Sequence, residues 1–128
     1  SRLAPSVGEF LGVPAEEFRS TMSAYADRLT DDAGARVLFW GMSDCGPDYP
    51  KADTMEGRRA FYAILSEIAE GTDGVHYADI GPRVAEKARI LKQQSECHTI
   101  YGDNGHFNAV GNLIIAGEIL RLFGVVSG

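Results

Sequence analysis

The chain has 128 residues, the usual size for one domain around one core. Its apolar share of 45% is ordinary for a globular protein. Its formal net charge of −6 argues against nucleic acid or an anionic membrane surface as a partner, because both call for a basic patch. The longest wholly apolar runs, such as Leu113–Gly117, are far too short to cross a bilayer, so no membrane span is expected. No signal peptide is recognisable, and a chain that starts at Ser1 rather than Met reads as a processed product, a cleaved chain or an excised piece.

Residues 1–13, with Pro5, Gly8 and Gly12, read as an extended lead-in. Pro14 fits a first helical position, and a helix to about Leu29 would put Phe18, Met22, Tyr25 and Leu29 on one face. Glu16, Glu17, Asp31 and Asp32 read as solvated charges at its ends. Gly34 ends it. Val37-Leu38-Phe39-Trp40, inside a stretch from Arg36 to Met42, is a continuous apolar run that reads as a strand buried on both faces. Residues 43–54 form a loop with Gly46, Pro47 and Pro50. A second helix over about 55–70 buries Phe61, Ile64, Leu65 and Ile68, and Val75 to Ile80 reads as a second strand. Pro82 opens a third helix to about Lys92, a polar loop covers 93–107, and the last helix runs from about Ala109 to Phe123. That helix is apolar on most of its surface and should be well buried.

Helices alternating with apolar strands imply a parallel sheet covered by helices. Two strands alone cannot bury both faces of Val37–Trp40 and leave two open edges. The chain is therefore expected to be part of a larger sheet, its other strands coming from another segment, chain or subunit.

The chemistry concentrates in Asp103-Asn104-Gly105-His106-Phe107-Asn108. A carboxylate three residues before an imidazole can take its Nδ1–H, which leaves Nε2 as a base, and Gly105 supplies the backbone freedom of a tight turn. Taken without context, Asp-Asn-Gly reads first as a plain turn signal in a polar loop. Asn108 reads as a helix N-cap and Gly111 as a point of close helix packing. Phe107 fits either an acyl pocket or core packing. Ser43 and Cys45 follow a strand, where nucleophiles often sit, but the segment is not Gly-x-Ser-x-Gly and a proline-containing loop follows instead of a helix. His98 reads as a loop histidine and His76 as structural. His76, His98 and His106 are too scattered for a metal set, and no cofactor is expected. Cys45 and Cys97 are either two unrelated thiols or one disulfide, the latter implying an oxidising compartment.

The same residues carry a resemblance. The Phe18/Met22/Tyr25/Leu29 helix comes first, then Gly34-Ala35, the strand Arg36–Gly41, the segment Phe61–Ala69 and Tyr77-Ala78-Asp79-Ile80. Asp103-x-x-His106-Phe107-Asn108-x-x-Gly111-Asn112-x-x-x-Ala116 closes the series. Over about residues 14–123 the chain resembles the C-terminal half of an SGNH (GDSL-type) hydrolase, the last block being the most specific. The resemblance implies a three-layer α/β/α, flavodoxin-like parallel sheet of which residues 1–128 supply the C-terminal part. It implies that Asp103 and His106 are the catalytic acid and base of a serine esterase or O-acyltransferase. The family's nucleophilic Ser sits in a Gly-Asp-Ser motif, and its oxyanion donors are a Gly and the Asn of Gly-x-Asn-Asp; neither motif occurs here. The expected partner is thus a companion polypeptide or N-terminal segment carrying Gly-Asp-Ser, and the expected substrate an ester, such as an acylated carbohydrate. Ser43 and Phe107 would rim the substrate site. The loops of Cys45 and Cys97 would gather at the active-site end, making a Cys45–Cys97 bridge feasible and an extracytoplasmic or secreted setting the better fit. Two other expectations compete. One is a catalytically inactive SGNH-like domain for carbohydrate binding or assembly; the other is a self-standing α/β domain that dimerises through its sheet edge.

Overall fold

A computed structural model describes residues 9–10, 12–51, 54–103 and 105–124. The chain divides into two compact units, residues 1–41 with 53–79 and residues 42–52 with 80–128.

The first unit begins with a two-residue hairpin. Strand β1 (Glu9–Phe10) pairs antiparallel with β2 (Val13–Pro14), turning at Gly12 with φ 83°. The expected extended lead-in thus carries a hairpin in its described part; the rest lies outside the described residues. Helix α1 (Ala15–Asp27) starts one residue later than expected, with Pro14 extended at the N-cap. Its inward stripe is Phe18, Met22 and Ala26, while Tyr25 and Leu29 are exposed, against expectation. The i, i+4, i+8 row meets the core, with Ala15 beside it at the start of the helix. A π-helical turn (Arg28–Asp32) follows, and Gly34 reverses the chain at φ 62°.

Strand β3 (Val37–Gly41) runs parallel to β4 (Val75–Asp79), in the register Val37↔Val75 to Gly41↔Asp79. Helix α2 (Met55–Gly71) crosses between them and buries Phe61, Ile64, Leu65 and Ile68 as its spacing requires. Side chains alternate across a strand. Val37, Phe39 and Val75 therefore share the face that packs with Ala26, Phe61, Ile64 and Ile68. Phe18 stacks on Phe61 at 4.4 Å, and Arg19 bonds Glu67 at 2.8 Å across α1 and α2. The opposite face carries Leu38, Trp40, His76 and Ala78; Trp40 is 40% exposed. Within this unit α1 and α2 pack on one face of the sheet, and full burial of β3 on both faces is not realised at Trp40. Among the described residues this parallel sheet has two strands.

The second unit holds helices α3 (Gly81–Gln94) and α4 (Ala109–Leu122) with the loops 42–51 and 95–108. Its apolar centre is Met42, Cys45, Ile80, Val84, Ala85, Ala88, Ile100, Tyr101 and Ile115. Helix α4 departs from expectation: only Gly111, Ile115 and Glu118 are buried, while Leu113 is 73% and Phe123 65% exposed. Those three buried residues lie on one side of the helix. No helix among the described residues is long and apolar enough to cross a membrane.

Candidate functional site

The loop that carries Asp103 and His106 is built as a small hairpin. Tyr101 and Phe107 form an antiparallel bridge. Gly102 N–H donates to the His106 carbonyl at 2.7 Å, and Asn108 N–H to the Ile100 carbonyl at 3.0 Å. The His106 amide returns to the Asp103 carbonyl at 2.9 Å, closing the turn at Gly105 with φ 80°. A single tight turn thus sets Asp103 and His106 side by side, and both are exposed. Among the described residues no side-chain hydrogen bond joins them; their link is through the backbone.

Three contacts fix the hairpin. Asn108 caps α4 as expected: its Oδ1 accepts from Gly111 N at 2.9 Å, while its Nδ2 donates to the Thr99 carbonyl at 2.6 Å. Gly111 is the close-packing point its position suggested, since a Cβ there would stand 2.3 Å from the Ile100 carbonyl. Tyr101 lies between Tyr49 and Phe107, with ring centroids at 5.3 and 5.1 Å, and its hydroxyl donates to the Cys45 carbonyl. Phe107 is half-buried in that stack, which accounts for it by packing.

Loop 42–51 lies against this hairpin. A Cβ at Gly105 would sit 3.4 Å from Tyr49 Cε1 and 3.6 Å from Pro50 Cγ. The loop containing Ser43 therefore does reach the turn of Asp103 and His106, through Tyr49 and Pro50. Helix α3 pins it from the other side. Asp44 accepts from Gly46 N at 2.9 Å and from Arg89 at 2.7 Å, and Lys92 bonds Asp48, which stands at φ 69°. A hydrogen bond from Arg89 to Asp44, and the charge of that carboxylate, raise the Arg89 pKa; the bond to Asp48 raises that of Lys92. Gly81 admits the backbone of Ser43 and Asp44, whose nitrogens would each lie 2.7 Å from a Cβ at that position.

The Cys45–Cys97 bridge is not formed. Both residues are thiols; Cys45 is buried with Sγ 3.9 Å from the Met42 carbonyl, and Cys97 is exposed at the start of the other loop. His76 Nε2 faces Arg36 Nη2 at 3.2 Å and, since a guanidinium only donates, acts as the acceptor. His98 Nδ1 meets the Leu91 carbonyl at 3.2 Å. His76 stands on a strand and His98 in a loop, where the sequence placed them. No group of three His, Cys, Asp or Glu residues able to hold a metal occurs among the described residues.

Sequence reading missed Glu118. It is 1% exposed and accepts from Arg83 Nε at 2.7 Å, Lys87 Nζ at 2.6 Å and Arg121 Nε at 3.0 Å. Burial pushes its pKa up, but the bonds from Lys87, Arg83 and Arg121 outweigh that and hold it at about 2. The signal was present: a lone carboxylate on the apolar stretch Leu113–Leu120, with Arg83 and Lys87 one helical turn apart on another helix. In the first unit, burial, then Asp79 and Tyr62, raise Tyr77 to about 12, and its hydroxyl would lie 2.5 Å from a Cβ at Gly41. No family model, curated protein or solved structure matches this chain.

Proposed function

We propose that this chain is the acid–base half of a serine ester hydrolase or O-acyltransferase of the SGNH type, active when completed by a companion segment with the nucleophile. The observation that carries the reading is the turn that places Asp103 and His106 together at the surface, seated through Gly105 on the loop that follows β3. Loops beyond the C-terminal ends of parallel strands are where α/β sheets bind ligands. The finer architecture belongs to the same proposal: a three-layer α/β/α, flavodoxin-like sheet in which β3 and β4 are two of several parallel strands.

In this mechanism the companion's serine attacks an ester carbonyl. His106 Nε2 takes the serine proton and then delivers it to the leaving alcohol. Asp103 accepts from His106 Nδ1–H, fixes the tautomer and stabilises the imidazolium. That bond is formed when companion and substrate bind, as catalytic hydrogen bonds tighten on complex formation. Water as the acceptor gives hydrolysis; a sugar hydroxyl gives acyl transfer.

A second reading has one observation in its favour. Asp103 and His106 share no side-chain bond, which suits an inactive SGNH-like domain used for carbohydrate binding or assembly.

The test extends the chain with the polypeptide encoded immediately ahead of it and assays hydrolysis of aryl acetates and an acetylated sugar. Turnover and labelling by a serine-directed phosphonate are expected on the added segment. His106→Ala should lower kcat by about 1,000-fold or more, and Asp103→Asn by less, through the wrong tautomer. The chain without that segment should stay at the buffer blank. Absence of turnover and labelling in the extended protein would favour the binding domain, and labelling of Ser43 would relocate the nucleophile.

A further inference from the structure

The clasp around Glu118 holds more positive charge than the fold requires. Glu118 is the one polar residue in the stretch Leu113–Leu120, and replacing such a buried ion pair by an apolar side chain is often neutral or stabilising. One cation would balance the carboxylate, and two donors would satisfy its two oxygens. Three cations are present: Lys87 Nζ on Oε1 at 2.6 Å, with Arg83 Nε at 2.7 Å and Arg121 Nε at 3.0 Å on Oε2. Arg83 and Lys87 stand four residues apart on α3, a spacing at which like charges repel. Elsewhere the balance runs the other way: Arg19 and Arg89 each face two carboxylates, and Arg28 and Lys92 one each. Three positive charges against one negative leave these four side chains at a net +2, in a chain of net −6. All three cations are partly exposed, whereas the carboxylate that gathers them is buried. Lys87 and Arg121 use one N–H each on Glu118 and meet no other protein acceptor among the described residues. Two further donors remain on the ammonium and four on the guanidinium.

We infer that Lys87 and Arg121, held in place by Glu118 beside Arg83, bind a small phosphate-type dianion, either inorganic phosphate or the phosphate group of a small monoester. Because they bond opposite oxygens of one carboxylate, the two cationic groups lie within about 8 Å of each other, a gap that one tetrahedral oxyanion spans with a hydrogen bond to each. The excess of two positive charges matches a dianion rather than a carboxylate. Glu118 acts as the organiser: it fixes the cations before the ligand arrives, so less side-chain freedom is lost on binding. The overall charge of −6 opposes an extended polyanion and leaves a single phosphate as the ligand of fitting size. Glu118 lies ten residues along α4 from Asn108, about 15 Å of helix, so this site is separate from the turn of Asp103 and His106. The inference does not rest on the function proposed for that turn.

The experiment titrates the chain with inorganic phosphate, a hexose phosphate and acetate at constant ionic strength, and follows backbone amide shifts by two-dimensional NMR. Saturable binding of phosphate is expected at millimolar concentration, with the shifts gathered around Arg83–Lys87 and Glu118–Arg121. Acetate, with one charge, should bind about 10-fold more weakly or less. Tighter binding of the hexose phosphate identifies the ligand as an esterified phosphate, and tighter binding of inorganic phosphate identifies it as the free anion. Lys87→Gln and Arg121→Gln, each checked for its fold by circular dichroism, should weaken binding by about 10-fold or more through loss of a charge-assisted hydrogen bond. Lys87→Arg should retain it, and Arg28→Gln, at an exposed ion pair of the first unit, should leave it unchanged. If one glutamine variant does not fold, the other and the native titration decide. A response that stays linear up to about 50 mM phosphate, or binding that the glutamine variants leave intact, overturns the inference.

Discussion

Gly111 shows how one hydrogen atom can be a structural requirement. Its Cα lies so close to the Ile100 carbonyl that a methyl group would overlap it at 2.3 Å, with Phe107 Cδ1 at 3.0 Å on another side. The obstacle is backbone, so rotamer change gives no relief. Gly111→Ala should therefore destabilise the fold by about 1–3 kcal/mol despite alanine's better helix propensity. Thermal unfolding would register this as a fall of several degrees, and a neutral or raised Tm would contradict the packing. The same position bears on function, because Asn108 holds Gly111 N–H and the Thr99 carbonyl at once, thereby tying the start of α4 to the loop of Asp103 and His106. Asn108 and Gly111 were legible in the sequence because capping and close approach use few residue types. The missing side-chain bond between Asp103 and His106 was not legible, since three-residue spacing brings two side chains within reach without fixing their rotamers.

Between elements, the strongest polar feature is the clasp of Glu118 on α4 by Arg83 and Lys87 of α3, with Arg121 adding a third donor. Removing the carboxylate leaves three cations that are themselves partly exposed and can turn to water, so Glu118→Ala should cost about 1–3 kcal/mol, less than breaking a fully buried pair. Its folded pKa of about 2 lies below the ordinary glutamate value of 4.5. The stabilisation is therefore complete above pH 4.5 and is lost as pH falls toward 2, because the unfolded state takes up the proton first. Urea midpoints measured from pH 6 down to pH 2 should converge for the native chain and Glu118→Gln at the acid end; a constant gap would refute the assignment. Sequence periodicity located the helices and both parallel strands within a residue or two. It failed on faces: Tyr25 on α1 and Leu29 on the π-helical turn are exposed, as are the leucines of α4. Periodicity reports which residues share a side of a helix, whereas burial depends on what stands opposite, and that is a property of the assembled chain.

At the scale of the whole molecule, the two faces of the parallel sheet in the first unit differ. One face of β3 and β4 is closed by α1 and α2, and the other presents Leu38, Trp40 and Ala78 around the His76–Arg36 pair. The sequence led to a different expectation here, since an apolar run like Val37–Trp40 reads as a strand with two covered sides, whereas Trp40 is 40% exposed. Trp40 is also the single tryptophan of the chain. Its indole is thus an internal optical gauge for this second face, with no other tryptophan to dilute the signal. In the chain by itself the emission should be that of a partly hydrated indole, open to quenching by iodide. When the segment required by the proposed function lies over this face, the emission should move to shorter wavelength and iodide should lose access. A spectrum unchanged on addition of a segment that restores ester hydrolysis would mean that the sheet is completed along its edge alone, with this face still wet.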